Sequence, residues 1–376
     1  MKVLYIVNSS SFFCSHFLTL AESVKNEGAE VFVAAGDKEK RTELVDRGFN
    51  FVELTLSRKG INVFSEISSI INLRGVICRI KPDIVHAFTI KPVIYSGLIN
   101  RMFRGIRAPL HIASITGLGS ASLSRSFQGK LLWMLLKQVY KLSLGLSNVK
   151  VVFENRDDLN HFVQLGIVLD SNAFVVNGAG IDTSFFCPPE SREIEPLKVV
   201  MVARFLKDKG VREYIDAGRK IKKNNINAQL LLVGSIDENN TSSLLQSDID
   251  LAHQLGYVDC LGQRNDIAAI YQKCNVACLP SYREGLPKSL IEAAACGVAI
   301  LTTDVPGCRQ MIFDGKNGVL FEPQNSDSIV SLISKLVEEP DLVRQMGVVS
   351  RIKALELFDH SSIIKSFFDI YDFNSK

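Results

Sequence analysis

Short apolar runs alternate with longer amphipathic stretches along the first half of the 376-residue chain. A run that is apolar on both faces is typical of a strand buried in a parallel sheet, and an amphipathic stretch is typical of a helix that covers such a sheet. The predicted strands are KVLYIV, AEVFVAAG, NFVELTL, PDIVHAF, HIASIT and VKVVFEN. This alternation predicts an α/β domain with a doubly wound sheet over residues 1–182.

The same alternation begins again after the aperiodic connector NGAGIDTSFFCPPESREIEP. The second set of predicted strands is LKVVMVAR, AQLLLVGS, DLAHQLGYV, VACLPS, VAILTTD and GVLFEP. It predicts a second Rossmann-like domain over residues 183–357. Residues 358–376 contain the pattern SSIIKSFFDIYDF, which predicts an amphipathic helix that crosses back to the first domain. We expect the two domains to face each other across a cleft, because open parallel sheets bind ligands beyond the carboxyl ends of their strands.

Two glutamates occupy unusual positions in the stretch PSYREGLPKSLIEAAACG, residues 280–297. Glu284 lies in a predicted loop, whereas Glu292 lies about 7.5 Å inside the helix that Pro287 begins. A carboxylate buried among leucine, isoleucine and alanine without partners would cost several kcal/mol. A ligand with a vicinal diol, such as a ribose, would satisfy both of its oxygens. The alternative is a solvent-exposed position on an amphipathic helix.

The loop before that helix and the turn after LKVVMVAR carry residues suited to an anion. Glu284 and Gly285 precede the helix, whose amino end favours negative charge. Arg204 directly follows a predicted strand and Lys209 lies five residues later, an arrangement suited to a diphosphate. A nucleotide sugar combines the sugar, the phosphates and the ribose that these residues would contact. Basic residues of a solvated turn are the alternative for the Arg–Lys pair.

Four segments together resemble family 4 of the retaining glycosyltransferases, which have the GT-B fold of two doubly wound Rossmann-like domains. They are SYREGLPKSLIEAAACG, VARFLKDKG, VVNGAGIDTSFF and VPG…IFDGKNGVLFEP. The resemblance implies that Glu292 holds the ribose of the donor and that Glu284 contacts the donor sugar. It also implies that Gly285 and Leu286 present backbone amides to the sugar and the phosphate.

The same resemblance gives roles to three basic residues. Arg204 and Lys209 would stabilise the departing diphosphate, and Arg264 would lie against the base. The implied reaction retains the anomeric configuration without a metal cofactor, because cations and the helix dipole neutralise the leaving group. Cys274 and Cys278 have a spacing close to that of metal ligands, but no second pair completes a site. The acidic segment SDID is interpreted as a solvated loop.

The first half of the chain is similar to a narrower group of bacterial enzymes. The segments SFFCSHFLTLAESVKNEGAEV, FTIKPVIYSGLINR and SITGLGS resemble transferases that build O-antigen, capsule or glycoprotein glycans on a polyprenyl diphosphate carrier. The resemblance implies a UDP-sugar donor, carrying an N-acetylhexosamine or a 6-deoxy-aminosugar. It implies an undecaprenyl-diphosphate-linked glycan as the acceptor.

The first domain departs from this family at two places. NSSSFFCSH stands where many relatives have two glycines near the donor phosphates, and Thr116 stands where others have a histidine. The candidates for contact with the donor or the acceptor in this domain are Ser15, His16, His86, Lys91 and Thr116. His86, which follows the predicted strand segment PDIV, is the catalytic candidate among them. The alternative for a lone histidine is a structural role.

The net charge of +3 is unevenly distributed, because residues 55–153 contain 14 basic and two acidic residues. Such a block attracts polyanions. The stretch RSFQGKLLWMLLKQVYKLSLG, residues 125–145, alternates lysines with large apolar groups and suits a helix at a lipid interface. An ordinary helix packed on a sheet is the alternative. Since no nucleic-acid-binding motif accompanies the charge, we expect contact with an anionic membrane surface and not with nucleic acid.

No apolar run approaches the ~18 residues of a spanning helix, and KVLYIV is followed by polar residues, unlike a secretory signal. We therefore expect a cytoplasmic protein that is peripheral at the inner face of the cytoplasmic membrane. Two other functions share parts of this pattern: an isomerase similar to UDP-N-acetylhexosamine epimerases, and a non-catalytic protein that binds nucleotide sugars or polyanions. REGLPKSLIEAAACG favours the transferase, and the lack of Gly-x-Gly-x-x-Gly after KVLYIV disfavours a dehydrogenase.

Overall fold

The computed structural model describes residues 1–56, 63–103, 108–117, 127–238, 240 and 242–373. The chain forms two compact units, one from Met1–Ala179 with the chain from Ile363 onward, and the other from Gly180–Ser362. Each unit is built on one parallel sheet.

The first unit contains a seven-stranded parallel sheet in the order β3-β2-β1-β4-β5-β6-β7. Its strands are β1 (Lys2–Val7), β2 (Glu30–Ala35), β3 (Asn50–Glu53), β4 (Ile84–Phe88), β5 (Leu110–Ile115), β6 (Val149–Phe153) and β7 (Ala173–Val175). Its helices are α1 (Ser10–Asn26), α2 (Arg41–Asp46), α3 (Val63–Ile80), α4 (Ile90–Met102), α5 (Phe127–Leu144) and α6 (Arg156–Gln164).

Separate apolar cores cover the two faces of this sheet. On one face, Val93 of α4 and Tyr140 of α5 are buried against β4, β5 and β6. On the other face, Phe17 of α1 is buried beside residues of the last helix, which include Phe367. Strands buried on both faces read as near-continuous apolar runs, so this two-sided cover explains the apolar runs of the sequence.

The second unit contains a six-stranded parallel sheet in the order β10-β9-β8-β11-β12-β13. Its strands are β8 (Leu197–Val202), β9 (Ala228–Val233), β10 (Asp259–Gly262), β11 (Val276–Leu279), β12 (Ala299–Thr303) and β13 (Gly318–Phe321). Its helices are α7 (Val211–Lys223), α8 (Gln246–Gln254), α9 (Ile267–Gln272), α10 (Lys288–Ala295), α11 (Ser326–Glu338) and α12 (Pro340–Leu357). The last helix, α13 (His360–Ile370), begins in the second unit and continues in the part of the chain that belongs to the first unit.

Two local expectations are wrong. DLAHQLGYV is not a strand, because its first part ends α8 and the strand β10 begins only at Asp259. SDID is not a loop, since Asp248 and Asp250 lie in the first turns of α8. In both cases a short polar helix with only Ile249 and Ala252 buried provides too weak an apolar pattern to be distinguished from its surroundings.

The amphipathic stretch at residues 125–145 is a helix, α5, from Phe127 to Leu144. Arg125 lies outside the described residues, as do Arg104 and Arg107 of the basic block. None of the helices in the described part of the chain is both long enough and apolar enough to cross a bilayer.

Candidate active site

The candidate site lies where the connections of the second sheet change direction. β8 and β11 are neighbours, and the chain proceeds from β8 to β9 on one side but from β11 to β12 on the other. Parallel sheets open a crevice at such a switch point, beyond the carboxyl ends of the two strands. Arg204 and Lys209 lie in the connection after β8, and Glu284 lies in the loop after β11. Three of the predicted residues therefore follow the two strands of the switch point.

Lys209 and Glu284 form an ion pair between these two loops. The Nζ atom of Lys209 lies 2.6 and 2.7 Å from the two carboxylate oxygens of Glu284. Both side chains are largely shielded from solvent. The pair brings together the cation expected at the diphosphate and the acid expected at the donor sugar.

Backbone contacts fix the two loops against each other. The carbonyl oxygen of Asp208 accepts hydrogen bonds from the N–H of Tyr282 at 2.9 Å and from Oγ of Ser281 at 3.0 Å. Gly210 has a φ of +75°, and a Cβ atom there would lie 2.1 Å from the carbonyl oxygen of Pro280. Only glycine permits this backbone and this approach. The packing of one loop on the other therefore requires glycine at the last position of VARFLKDKG.

The segment from Glu284 to Leu286 packs against the loop after β12. The N–H of Glu284 donates to the carbonyl oxygen of Pro306 at 3.3 Å. Gly307 has a φ of +79°, and a Cβ atom there would lie 2.3 Å from the carbonyl oxygen of Gly285. Leu286 is buried in the core of the unit. The backbone expected to face the sugar and the phosphate is thus held in place at the start of α10 by the VPG segment.

Glu292 lies inside α10, as the sequence predicts, with 13% of its side chain exposed. Burial raises the pKa of its carboxyl above the ordinary value, and the charge of Lys288, one helical turn earlier with Nζ 3.6 Å away, partly offsets that rise. Hydroxyl groups that donate to the carboxylate would restore the solvation that burial removes. The group is therefore suited to accept hydrogen bonds from a diol. Sequence reasoning missed Lys288, although its spacing of four residues from Glu292 was the available signal.

Arg204 is 60% exposed and pairs with Asp237, whose Oδ2 lies 2.7 Å from Nη1. Asp237 follows β9, the strand beside β8. A guanidinium has five N–H donors, so one carboxylate contact leaves donors for a second anion. Sequence reasoning missed Asp237, and its place directly after a predicted strand was the signal that could have found it.

Arg264 follows β10, the edge strand of the same sheet. Its Nε and Nη2 atoms donate to the two carboxylate oxygens of Asp266 at 2.8 and 2.7 Å, and both side chains are exposed. The structure therefore places Arg264 at the carboxyl edge of the sheet, two strands away from β8.

The structure corrects the expectation that His86 is catalytic. His86 lies on β4 and is fully buried, with Nδ1 2.6 Å from the hydroxyl of Tyr371 and Nε2 2.7 Å from the hydroxyl of Ser114. Burial lowers the pKa of His86 well below its ordinary value, and the neighbouring His111 contributes a smaller part of this shift. Both ring nitrogens have protein partners and no part of the ring is exposed. His86 is a structural residue of the first unit.

Ser15 and His16 belong to a helix, not to the loop after β1. α1 begins at Ser10 because the side chain of Ser9 caps it by accepting a hydrogen bond from the backbone N–H at position 12. Oγ of Ser15 lies 2.7 Å from Nδ1 of His16, and the His16 ring stacks on Phe12 with 4.4 Å between the ring centres. α1 therefore includes most of the segment NSSSFFCSH, and only Asn8 and Ser9 lie between β1 and the helix.

Thr116 and Lys91 lie near the carboxyl edge of the first sheet. Thr116 directly follows β5 and is half-buried. Lys91 lies in the first turn of α4, and its Nζ atom is 2.7 Å from a carboxylate oxygen of Glu66 on α3. In the part of the chain that the structure describes, no three His, Cys, Asp or Glu side chains are grouped in a way that could hold a metal ion.

Two glycosyltransferase family models match most of the chain. The model described as "Glycosyl transferase 4-like" matches residues 2–154. The model described as "Glycosyl transferases group 1" matches residues 188–351. The two matches fall on the first and the second unit, respectively.

Curated relatives match along nearly the full length of the chain. An N,N'-diacetylbacillosaminyl-diphospho-undecaprenol alpha-1,3-N-acetylgalactosaminyltransferase of Campylobacter jejuni is 28% identical, with 95% of each chain covered. The capsular polysaccharide biosynthesis glycosyltransferase CapM of Staphylococcus aureus is 24% identical, with 93% of this chain and 92% of CapM covered. A UDP-Gal:alpha-D-GlcNAc-diphosphoundecaprenol alpha-1,3-galactosyltransferase of Escherichia coli is 22% identical, with 85% and 82% covered.

Solved structures share the fold at low sequence identity. The sucrose-phosphate synthase of Thermosynechococcus elongatus has a TM-score of 0.80 at 18% identity, with 100% of both chains covered. Anabaena HepE in complex with UDP has a TM-score of 0.78 at 16% identity, with 99% of this chain and 100% of HepE covered. These likenesses establish the two-domain Rossmann-like GT-B fold.

The fold and the two matched models define this protein as a GT-B glycosyltransferase. The chain belongs to the glycosyltransferase family that the group 1 and 4-like models describe. The curated relatives above are named as transferases, so the isomerase alternative is not favoured.

Proposed function

We propose that the protein transfers a sugar, with retention of configuration, from a UDP-sugar to a saccharide linked to undecaprenyl diphosphate, in the assembly of a bacterial surface polysaccharide. The observation that carries the proposal is the Lys209–Glu284 pair at the switch point, on the same sheet edge as Arg204. The names of the Campylobacter and Escherichia relatives, which specify diphospho-undecaprenol-linked acceptors, support the acceptor class. The HepE complex with UDP supports the donor class.

The donor would lie along the carboxyl edge of the second sheet. Glu292 accepts hydrogen bonds from the two ribose hydroxyls, and Glu284 accepts from hydroxyls of the sugar, an N-acetylhexosamine or a 6-deoxy-aminosugar. Arg204 and Lys209 contact the diphosphate. Each of these cations is also paired with a carboxylate, and it would share its hydrogen-bond donors between that carboxylate and the diphosphate. Arg264 lies against the uracil.

The reaction breaks the bond from the anomeric carbon to the diphosphate, and the electron pair leaves with UDP. The acceptor hydroxyl forms the new bond on the same face, and its proton passes to the leaving phosphate oxygen. Arg204, Lys209 and the amino end of α10 stabilise the negative charge that develops on this oxygen. In this proposal the positive residues take the place of a metal cofactor.

The direct test is to incubate the protein with a panel of UDP-sugars and an undecaprenyl-diphosphate-linked saccharide, and to analyse products by mass spectrometry and NMR. We expect one UDP-sugar to extend the acceptor by one residue, with the anomeric configuration of the donor kept. Interconversion of UDP-sugars without transfer would replace the proposal by an isomerase. Binding of UDP without any turnover would replace it by a binding protein.

We further propose that the first unit docks on an anionic membrane surface, at the inner face of the cytoplasmic membrane, through α3 and α5. α4 packs against both of these helices and is itself mostly buried. α3 exposes Phe64 and Ile71, which are 85% and 66% exposed. α5 exposes further large apolar side chains, namely Leu131, Leu132, Met134, Leu135 and Leu142. With the surplus of basic residues over 55–153, this combination suits a lipid interface.

Liposome flotation tests this docking surface. Phe64→Ser combined with Met134→Glu should reduce binding to phosphatidylglycerol vesicles about tenfold or more, because apolar area is lost from both helices. Leu169→Glu removes an equally exposed leucine of the first unit outside these helices and should leave binding unchanged. Equal loss in both variants would contradict the assignment to α3 and α5.

A further inference from the structure

A cavity of about 350 Å³ lies at the amino ends of strands in the second sheet, opposite to the candidate donor site. Asn275 and Gly297, which precede β11 and β12, line it. Residues of the connector between Pro188 and Ile194 and residues of α12 also line it. Ligand cavities of small molecules begin at about 300 Å³, so the cavity is large enough for a compact ligand.

Two arginines that line this cavity donate to backbone carbonyls at the end of α10. Nη1 of Arg192 lies 2.5 Å from the carbonyl oxygen of Gly297, and Nη2 lies 2.6 Å from that of Cys296. Nη1 of Arg351 lies 2.8 Å from the carbonyl oxygen of Ala295. Neither guanidinium forms an ion pair with a carboxylate of the described chain.

Three more backbone carbonyls accept from this arginine pair, that of Gln272 from Arg192 and those of Thr183 and Phe186 from Arg351, so the pair is compensated by partial charges. The carboxyl end of a helix carries about half of a negative charge, whereas two guanidinium groups carry two positive charges. Burial lowers the pKa of Arg192 from its ordinary value, because the guanidinium is partly removed from solvent. Glu190 and Arg344 also line the cavity, and Arg344 is paired with Asp341. The cavity is therefore net positive.

Apart from Ser191 and Asn275, the rest of the lining is mostly apolar. It consists mainly of Pro188, Pro189, Ile194, Val343, Val348 and Ile352. Val348 is 60% exposed at this site. Apolar walls beside a few polar groups that fix orientation are the usual composition of a small-molecule site.

We propose that this cavity binds a small amphipathic anion, with a carboxylate or phosphate group at Arg192 and Arg351 and an aliphatic or aromatic body against the apolar wall of α12. The site is separate from the donor site, because it lies at the opposite ends of the strands. Evidence for or against this cavity as a binding site therefore does not bear on the function proposed above.

Calorimetry with octyl phosphate, below its micelle-forming concentration, tests this site on the full chain. We expect saturable binding of one molecule, and at least about tenfold weaker binding of octyl glucoside, which has the same tail without the charge. Val348→Glu should weaken octyl phosphate binding about tenfold, because it adds negative charge and removes an apolar contact. Leu355→Glu, on the same helix but not in the lining, should leave binding within about twofold. Circular dichroism confirms the fold of both variants.

Vesicles of phosphatidylglycerol distinguish the two sources of such an anion. Binding of octyl phosphate together with Val348-dependent binding of vesicles assigns the site to a lipid headgroup, and binding of octyl phosphate alone assigns it to a free metabolite. Equal affinity for octyl glucoside, or an unchanged affinity of the Val348→Glu variant, would overturn the proposal.

Discussion

Lys209 and Glu284 are joined across the switch point of the second sheet, with Nζ 2.6 and 2.7 Å from the two carboxylate oxygens. One residue lies in the connection after β8 and the other in the loop after β11, so the pair links the two strands between which the crevice opens. A diphosphate bound at this edge of the sheet would contact Lys209, which Glu284 already holds in position. The geometry of the pair is therefore the feature on which both stability and catalysis should depend.

A double-mutant cycle on this pair should show strong coupling. Lys209→Met and Glu284→Gln should each destabilise the protein, because each leaves a largely buried charge without its partner. We expect a coupling free energy of about 1–3 kcal/mol, so the double variant should lose less than the sum of the single losses. Urea denaturation followed by circular dichroism measures it. Additive losses would mean that the two charges do not stabilise each other.

Arg204→Ala should separate catalysis from stability. The side chain is 60% exposed in an ion pair, so we expect the free energy of unfolding to change by less than about 1 kcal/mol. Turnover should fall by a factor of about 10²–10³, because the variant loses a donor to the leaving diphosphate.

Arg264→Ala is the matched control for this prediction, since Arg264 is also an exposed, ion-paired arginine at the same sheet edge. It should raise KM for the donor and change kcat little, because the base is far from the bond that breaks. Equal kcat losses in the two variants would argue against a special role of Arg204 at the diphosphate.

Glu292→Gln should make the protein more stable at neutral pH and weaken UDP binding. Burial raises the pKa of Glu292, so the folded protein binds a proton more tightly than the unfolded chain does. As pH rises from the ordinary value of 4.5 through the raised value, the wild type loses stability that the glutamine variant keeps. We expect a gain of about 0.5–2 kcal/mol at pH 7, since the lost pair with Lys288 contributes at most about 0.5 kcal/mol.

The same variant gives a binding signature. The ionised carboxylate accepts from the ribose, so UDP affinity of the wild type should fall as pH is lowered through the raised pKa, whereas the glutamine variant should bind weakly at every pH. Calorimetry from pH 5 to 8 measures this dependence. An unchanged UDP affinity in the variant would remove Glu292 from the donor site.

The first unit should lose stability in mild acid because of its buried histidines. Burial lowers the pKa of His86 well below 6.5 and that of His111 to about 4. The unfolded chain therefore binds more protons below pH 6.5, and stability should fall as pH is lowered from 6.5, by up to about 1.4 kcal/mol per pH unit for each histidine. His86→Gln should reduce this slope. Urea denaturation followed by the fluorescence of Trp133, the single tryptophan of the chain, reports on this unit. An identical slope in the variant would show that His86 does not titrate on unfolding.

Transfer activity should survive EDTA. The proposed mechanism neutralises the diphosphate with Arg204, Lys209 and the start of α10, so removal of divalent cations should change kcat by less than about twofold. Loss of activity that manganese restores would show that a cation performs this role.

The sheets and the position of Glu292 inside a helix could be predicted because their signals are local. Continuous apolar runs mark strands that are covered on both faces, and Glu292 is conspicuous because its neighbours in α10 are apolar. The partners of these residues were harder to predict. Asp237 and Lys288 are ordinary polar residues in sequence, and only strand order and helical geometry bring them to Arg204 and Glu292.

The first unit was harder to interpret for the same physical reason. His86 follows an apolar strand segment just as a site residue would, and its burial results from Tyr371, which lies 285 residues later in the chain. NSSSFFCSH stands where many relatives have two glycines, whereas the cap at Ser9 and the buried Phe13 and Phe17 begin a helix within it, which includes Ser15 and His16. A contact between distant segments decided the first outcome, whereas a local cap contributed to the second.

The most direct test of the account is a crystal structure of the protein with UDP. We expect the ribose hydroxyls within hydrogen-bond distance of the Glu292 carboxylate, and the diphosphate in contact with Arg204 and Lys209. UDP bound away from the carboxyl edge of the second sheet, or bound there without contact to Glu292, would contradict it.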